Sequence, residues 1–132
     1  MKGVKGMSFT WFNEKPKEVI VTLASGHITL NKQGSLFFEH AYNVLLGVDH
    51  NSHRIAIKPL DKDESMSQLY PDNKKYKITV RASYARITNK AFMEEISTLT
   101  GINLEETPTK FPASWDEKDQ MLIIDLKGGA NT

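Results

Sequence analysis

The stretch that decides the fold is Tyr42-Asn-Val-Leu-Leu-Gly-Val-Asp49, His50-Asn-Ser-His53, Arg54-Ile-Ala-Ile-Lys-Pro-Leu60, because the chain contains a second version of it. The second version is Thr109-Lys-Phe-Pro-Ala-Ser-Trp-Asp116, Glu117-Lys-Asp-Gln120, Met121-Leu-Ile-Ile-Asp-Leu-Lys127. In each arm apolar residues recur with a period of two, which is typical of a half-buried strand, and four polar residues between the arms predict a hairpin. Aligned without a gap, the two versions place Val48 on Trp115, so we expect these side chains at equivalent core positions.

Upstream of each hairpin the sequence predicts two strands and a helix. In the first copy, strands are expected over residues 18–23 and 27–30, and Asn31 is a good N-cap for a short helix over residues 32–40. In the second copy, a strand from residue 76 and a second strand over residues 86–88 are followed by a helix that begins after Asn89 and ends at Gly101. A longer first helix running to Leu46 is the alternative to the strand from residue 42. Pro112, in the corresponding strand of the second copy, favours the strand.

The chain is therefore expected to form one α+β domain, mostly β, built from two β-β-α-β-β repeats. We expect an N-terminal arm over residues 1–17, repeat 1 over 18–60, a polar linker over 61–75, repeat 2 over 76–127 and a frayed tail over 128–132. Within the arm, Phe9, Trp11 and Phe12 interrupt a polar background. We favour burial of Phe9 and Trp11 over an open end of the core, because large aromatic side chains are usually buried, and an exposed partner-binding arm is the alternative.

Composition excludes several classes of function. The chain has no Cys, which excludes disulfides and thiolate chemistry, and it has no long apolar run. With no apolar leader either, we expect a cytoplasmic protein without a membrane partner. No phosphate-binding loop, nucleophile elbow or metalloprotease signature occurs, and the acidic pairs Glu94-Glu95 and Glu105-Glu106 are sequence neighbours that do not face each other. We therefore expect no enzyme and no cofactor.

The first repeat resembles the AbrB-like swapped-hairpin family. The segment Gly26-His-Ile-Thr-Leu-Asn-Lys32 is similar to the family's Gly-Arg-Ile-Thr-Ile-Pro-Lys signature, with His27 in place of Arg, Leu30 in place of the second Ile and Asn31 in place of Pro. In the second repeat Arg86-Ile87-Thr88 restores the Arg and drops one strand residue. The resemblance implies a swapped-hairpin barrel with an internal pseudo-two-fold axis, and a DNA-binding regulator. On that basis His27 and Lys32 join the candidate DNA-binding residues.

The most basic stretch of the chain is residues 74–90, which contain six Lys or Arg and no acid. Strand periodicity places Lys75, Lys77 and Arg81 on the face opposite Tyr76 and its apolar neighbours, and Arg86 follows. Such a ribbon can neutralise DNA phosphates. A solvated sheet face, or an edge strand that uses lysines to block further strand pairing, explains the same residues.

Two histidines flank the first hairpin turn. His50 and His53 with Asp49 suggest a metal site, but a turn built from Asp, His, Asn and Ser explains the same residues, and we expect no metal. The leading hypothesis is a non-enzymatic regulator that binds duplex DNA. The alternative is a protein-interaction or assembly module that binds itself, as a homodimer, or another protein, and no nucleic acid.

Overall fold

The computed structural model describes residues 8–12 and 17–128, and within them the chain forms nine β-strands and three α-helices. The strands are β1 (Val19–Leu23), β2 (His27–Leu30), β3 (Asn43–Asp49), β4 (Arg54–Leu60), β5 (Lys75–Tyr76), β6 (Thr79–Val80), β7 (Ala85–Thr88), β8 (Thr109–Asp116) and β9 (Met121–Asp125). The α-helices are α1 (Lys32–Ser35), α2 (Lys62–Met66) and α3 (Lys90–Thr100), and 3₁₀ turns lie at Leu36–Phe38, Asp72–Lys74 and Leu126–Gly128. The predicted mostly-β composition is confirmed.

All nine strands belong to one antiparallel sheet in the order β5-β3-β4-β9-β8-β1-β2-β7-β6. The strands at its two ends, β5 and β6, are consecutive in the chain and only Lys77 and Ile78 separate them. The two ends of the sheet must therefore lie near each other, and the sheet curls into a barrel-like shape. Two further pairings join strands that are distant in sequence: Ile28 of β2 faces Ile87 of β7, and Ala56 of β4 faces Ile123 of β9.

The core fills the concave side of this sheet. Alternate strand residues point inward and their neighbours point outward, as the period-two pattern predicts. Phe38 from the 3₁₀ turn and Met93 and Ile96 from α3 complete the core. The strand residues of this core cluster are Val21, Leu23, Ile28, Leu30, Val44, Ile55, Ile57, Ala85, Ile87, Phe111, Leu122 and Ile124.

Both predicted hairpins are present, and their turns have the same geometry. In each turn the last strand residue is an Asp whose carboxylate accepts backbone N–H groups, Asp49 from residues 51 and 52 and Asp116 from residues 118 and 119. The last turn residue is left-handed in both, with φ of 57° at His53 and 54° at Gln120. The alternative helix through Leu46 is wrong, because residues 43–49 pair along their whole length with β4.

Val48 and Trp115, the residues before these two aspartates, were predicted as core residues. Both pack against the core, but both remain partly exposed. The reason is that the hairpins extend beyond the region where β1 and β5 cover them, since β1 pairs with β8 only as far as Ala113 and β5 pairs with β3 only as far as Leu45. The two positions therefore lie at the margin of the core.

The first helix is shorter than predicted. Asn31 caps it as expected, its side chain accepting the backbone N–H of Gly34 at 3.0 Å, but α1 ends at Ser35 and continues only as a 3₁₀ turn to Phe38. Gly34 lies close to the sheet, because a β-carbon there would come within 3.0 Å of the Val19 side chain. The glycine thus permits the close packing of α1 on β1 while weakening the helix itself.

The second helix agrees with the prediction. The Asn89 side chain accepts the backbone N–H of Phe92 at 3.0 Å, and Gly101 ends α3 in the left-handed conformation with φ of 76°. Met93 and Ile96 are buried at helical spacing. Both caps are short-range features, which explains why the sequence alone was sufficient.

Residues 61–75, predicted as a linker, contain the helix α2, which was not predicted. Asp61 and Glu64 form a reciprocal capping box at its start, and the buried Ser65 hydroxyl accepts a hydrogen bond from the Asn43 side chain at 2.8 Å. The Asp-x-x-Glu spacing was the available signal for this helix. The strand predicted from residue 76 is also divided in two, because its first part pairs with β3 and its second part with β7.

The aromatic residues of the N-terminal arm are not buried. Phe9, Trp11 and Phe12 are 73%, 75% and 88% exposed, so the expectation that Phe9 and Trp11 cover the core is wrong. Residues 1–7 and 13–16 of the predicted arm, and residues 129–132 of the predicted tail, lie outside the described part of the chain.

Candidate functional site

A row of outward-facing residues crosses five adjacent strands on the convex side of the sheet. The pairing registers place Thr79 of β6 beside Arg86 of β7, Arg86 beside Thr29 of β2, Thr29 beside Thr22 of β1, and Thr22 beside Lys110 of β8. We call Thr79, Arg86, Thr29, Thr22 and Lys110 the outer row. Both of its cations are exposed. Hydroxyl donors and cations on one strip are groups that contact phosphate oxygens.

Arg86 is the best oriented cation of the outer row. Its Nε donates a hydrogen bond to the Thr29 hydroxyl at 3.3 Å, and its guanidinium carbon lies 5.5 Å from the centre of the Tyr84 ring. Among the described residues no carboxylate forms an ion pair with it. The guanidinium is therefore held against the sheet while its charge remains available to a ligand.

The second cation of the outer row, Lys110, lies three strands from Arg86. Adjacent strands are about 4.8 Å apart, so the two positions are separated by roughly 14 Å along the sheet. A DNA major groove is about 12 Å wide. The spacing is thus comparable to the distance between the phosphate backbones that border one groove.

With one exception, the other predicted DNA-binding residues lie on or next to β6 and β2, two of the strands that carry this row. Lys77 and Arg81 are exposed on either side of β6, and Lys32 is exposed at the start of α1. His27 is half-buried and faces Thr88 of β7, two residue pairs along the strand from Arg86. β6 and β2 lie on either side of β7 in the sheet, so these residues belong to neighbouring elements.

Lys75 is the exception and corrects the prediction of a continuous exposed ribbon. Its side chain is only 7% exposed, and its ammonium group donates hydrogen bonds to the Ser65 carbonyl and, at 3.0 Å, to the Asp72 carboxylate. It therefore stabilises the segment between α2 and β5 rather than the exposed ribbon. Conversely, Lys110 was missed by sequence reasoning, because only the pairing of β8 with β1 brings it beside Thr22.

The histidines of the first hairpin have structural roles. His50 Nε2 lies 3.2 Å from the Glu95 carboxylate of α3, and His53 is the left-handed residue that closes the turn. The pKa of Asp49 is lowered to about 2, chiefly by hydrogen bonds from Ser52 and then by Arg54 and the backbone N–H of Asn51. Within the described residues no group of three or more acidic or histidine side chains could hold a metal ion. The geometry of the hairpin turn accounts for Asp49 and His53 at these positions.

Comparison of the chain with family models, with curated proteins and with solved structures finds no match. Among the described helices, none has the length and apolar character that crossing a membrane requires. Any function must therefore be argued from the geometry of this chain.

Proposed function

We propose that the chain is a non-enzymatic DNA-binding protein whose outer row contacts the phosphate backbone of duplex DNA. The observation that carries this proposal is the position of Arg86, held by Thr29 and Tyr84 with its charge exposed, on the same strip as Lys110. The outward positions of β6, β7, β2, β1 and the part of β8 that pairs with β1 contain no Asp or Glu. Counterion release from phosphates would supply the affinity.

The AbrB-like, two-repeat architecture is part of the same proposal. The strand registers support it. In the aligned hairpins Ile55 corresponds to Leu122, and Ile57 corresponds to Ile124. A two-fold axis between the repeats would therefore convert the cross-strand pair Ile55–Ile124 into the pair Ile57–Leu122. Both pairs occur between β4 and β9.

The β2–β7 pairing gives the same support. With His27 corresponding to Arg86 and Thr29 to Thr88, the pairs His27–Thr88 and Thr29–Arg86 are related by an axis that passes through Ile28 and Ile87. Under this proposal His27 is the counterpart of Arg86, so the DNA contact is stronger on the Arg86 side.

The proposal is tested by titrating the protein with mixed-sequence duplex DNA at several salt concentrations. We expect binding at low salt that weakens steeply as salt rises, with each phosphate contact contributing a slope of about −0.9 in log K against log salt. Replacing both Arg86 and Lys110 with Ala should make the slope less steep by roughly two units. Lys118→Ala, at the exposed tip of the second hairpin, is the matched control and should leave the slope unchanged. Absence of binding at low salt refutes the proposal, as does a double variant with the wild-type slope.

The second candidate function, a protein-interaction or assembly module, is favoured by a different observation. Phe9, Trp11 and Phe12 expose three aromatic rings within four residues. Exposed clusters of large apolar side chains are characteristic of protein-protein contact sites. This candidate does not require the outer row, so the two functions are separable by mutation.

A further inference from the structure

The C-terminal half of β3 has an unpaired edge. On one side β3 pairs with β4 from Asn43 to Asp49, but on the other side β5 pairs only with Val44 and Leu45. Within the described chain, residues 46–49 therefore have no strand beside them on that edge. The edge borders a surface groove of about 560 Å³.

Apolar and polar side chains both line the groove. Val48 of β3, Tyr76 of β5 and Phe92 of α3 line it, together with Tyr70 and Met121. Among the polar ones, the His50 imidazole and the Glu95 carboxylate lie 3.2 Å apart and connect the hairpin to α3. An open strand edge beside apolar pockets is the arrangement that accepts an added β-strand, whose backbone pairs with the edge while alternate side chains enter the pockets.

The second hairpin shows which kind of side chain suits this place. Trp115 and Val48 both precede the aspartate that accepts the turn N–H groups, so they occupy the same position in hairpins of the same geometry. The Trp115 ring stacks on Phe37, with ring centres 4.5 Å apart and planes inclined by 7°, and it meets Phe38 edge-on at 6.3 Å. At the Val48 position the side chain is smaller, and it lines the open groove together with Phe92 and Tyr76.

The chain also contains an exposed segment of matching character. Phe9 and Trp11 have the spacing of side chains on one face of a strand, and both are about three-quarters exposed. None of these rings lines the groove of its own molecule. Residues 13–18 connect the segment to β1, and six residues span at most about 20 Å, which is enough to carry the segment away from its own sheet.

We propose that residues 9–12 of a second copy of this chain add to the free edge of β3, with Trp11 in the groove between Val48 and Phe92. The exchange is reciprocal, so each copy donates one segment and accepts one, which gives a closed two-fold dimer. The ring of Trp11 would then occupy the place that Trp115 fills in the other hairpin. This surface is separate from the outer row, so the dimer does not depend on DNA binding.

Sedimentation equilibrium of the full chain over a range of concentrations tests the proposal. We expect a monomer–dimer equilibrium for the wild type, and loss of the dimer in Trp11→Ala and in Val48→Trp, which fills the groove as Trp115 fills the other hairpin. Trp11 is exposed, so Trp11→Ala removes no core contact and tests the proposal even if Val48→Trp does not fold. A mixture of the two variants should form a heterodimer, because one supplies an intact groove and the other an intact Trp11.

Fluorescence distinguishes the possible occupants. In a Trp115→Phe background Trp11 is the sole tryptophan, and its emission should shift to shorter wavelength as the dimer forms. A wild type that stays monomeric with solvent-exposed Trp11 emission overturns the proposal. So does a monomer whose Trp11 emission is already blue-shifted at every concentration and reverts in Val48→Phe, which adds a ring to the groove without adding a tryptophan, because the segment then fills the groove of its own molecule. A dimer that survives both variants would also overturn it, since its interface lies elsewhere.

Discussion

Replacing Trp115 with Ala should lower the free energy of unfolding by about 3 kcal/mol. A fully buried Trp→Ala change costs about 3–5 kcal/mol, and Trp115 is only partly buried, so roughly half of that applies. The stacked contact with Phe37 and the edge contact with Phe38 add about 1 kcal/mol beyond area burial. For a domain of this size the expected decrease in melting temperature is roughly 10 °C.

Urea unfolding followed by far-ultraviolet circular dichroism measures this change, and a double-mutant cycle isolates its cause. The cycle combines Trp115→Ala with Phe37→Ala, and the stacked pair should show a coupling energy of about 1 kcal/mol. Leu69→Ala is the control, because Leu69 is 75% exposed, and it should change stability by less than about 0.5 kcal/mol. A loss below about 1 kcal/mol for Trp115→Ala would refute the assignment of this ring as a stabilising contact between the hairpin and the 3₁₀ turn.

Three further changes test local features. The pKa of Asp49 is lowered to about 2, so its ionised carboxylate stabilises the folded state fully above the ordinary aspartate pKa of about 4. This stabilisation is lost as the pH falls from about 4 through 2. In urea unfolding at a series of acidic pH values, the difference in stability between wild type and Asp49→Asn should therefore shrink over that range. Gly101→Ala should cost about 1 kcal/mol in thermal unfolding because φ is 76°, whereas Gly26→Ala, where a β-carbon meets open space, should cost nothing measurable. Gln120→Gly should raise stability by about 0.5 kcal/mol by relieving its left-handed backbone, and a decrease in denaturant midpoint would contradict this.

The features predictable from the sequence are those fixed by near neighbours. The two hairpins depend on the alternation of their arms and on Asp49 and Asp116, which accept N–H groups two and three residues away. Helix α3 depends on Asn89 and Gly101 at its two ends. Such signals are contained within a few residues, so the elements they specify could be located before the structure was known.

The unpredicted features depend on contacts between distant parts of the chain. Lys110 joins the candidate site because β8 pairs with β1, and no local pattern reports that pairing. Lys75 is not part of the candidate site, because its ammonium group donates a hydrogen bond to the carbonyl of Ser65 in α2. The exposure of Trp11 likewise depends on how distant strands pack, which no local pattern reports. Hydrophobicity alone favours burial of this ring.

The pairing of β1 with β8 has a consequence for synthesis of the protein. Val19 pairs with Ala113, so the edge of β1 that faces β8 cannot be covered until β8 has left the ribosome. Until then the nascent chain carries β1 and the β3–β4 hairpin with open edges, and Ile55 lacks its partner Ile124. Sheets assembled from such distant segments fold slowly and are prone to aggregation while incomplete. The appearance of β8 and β9 is thus the step at which the protein becomes able to close its own sheet.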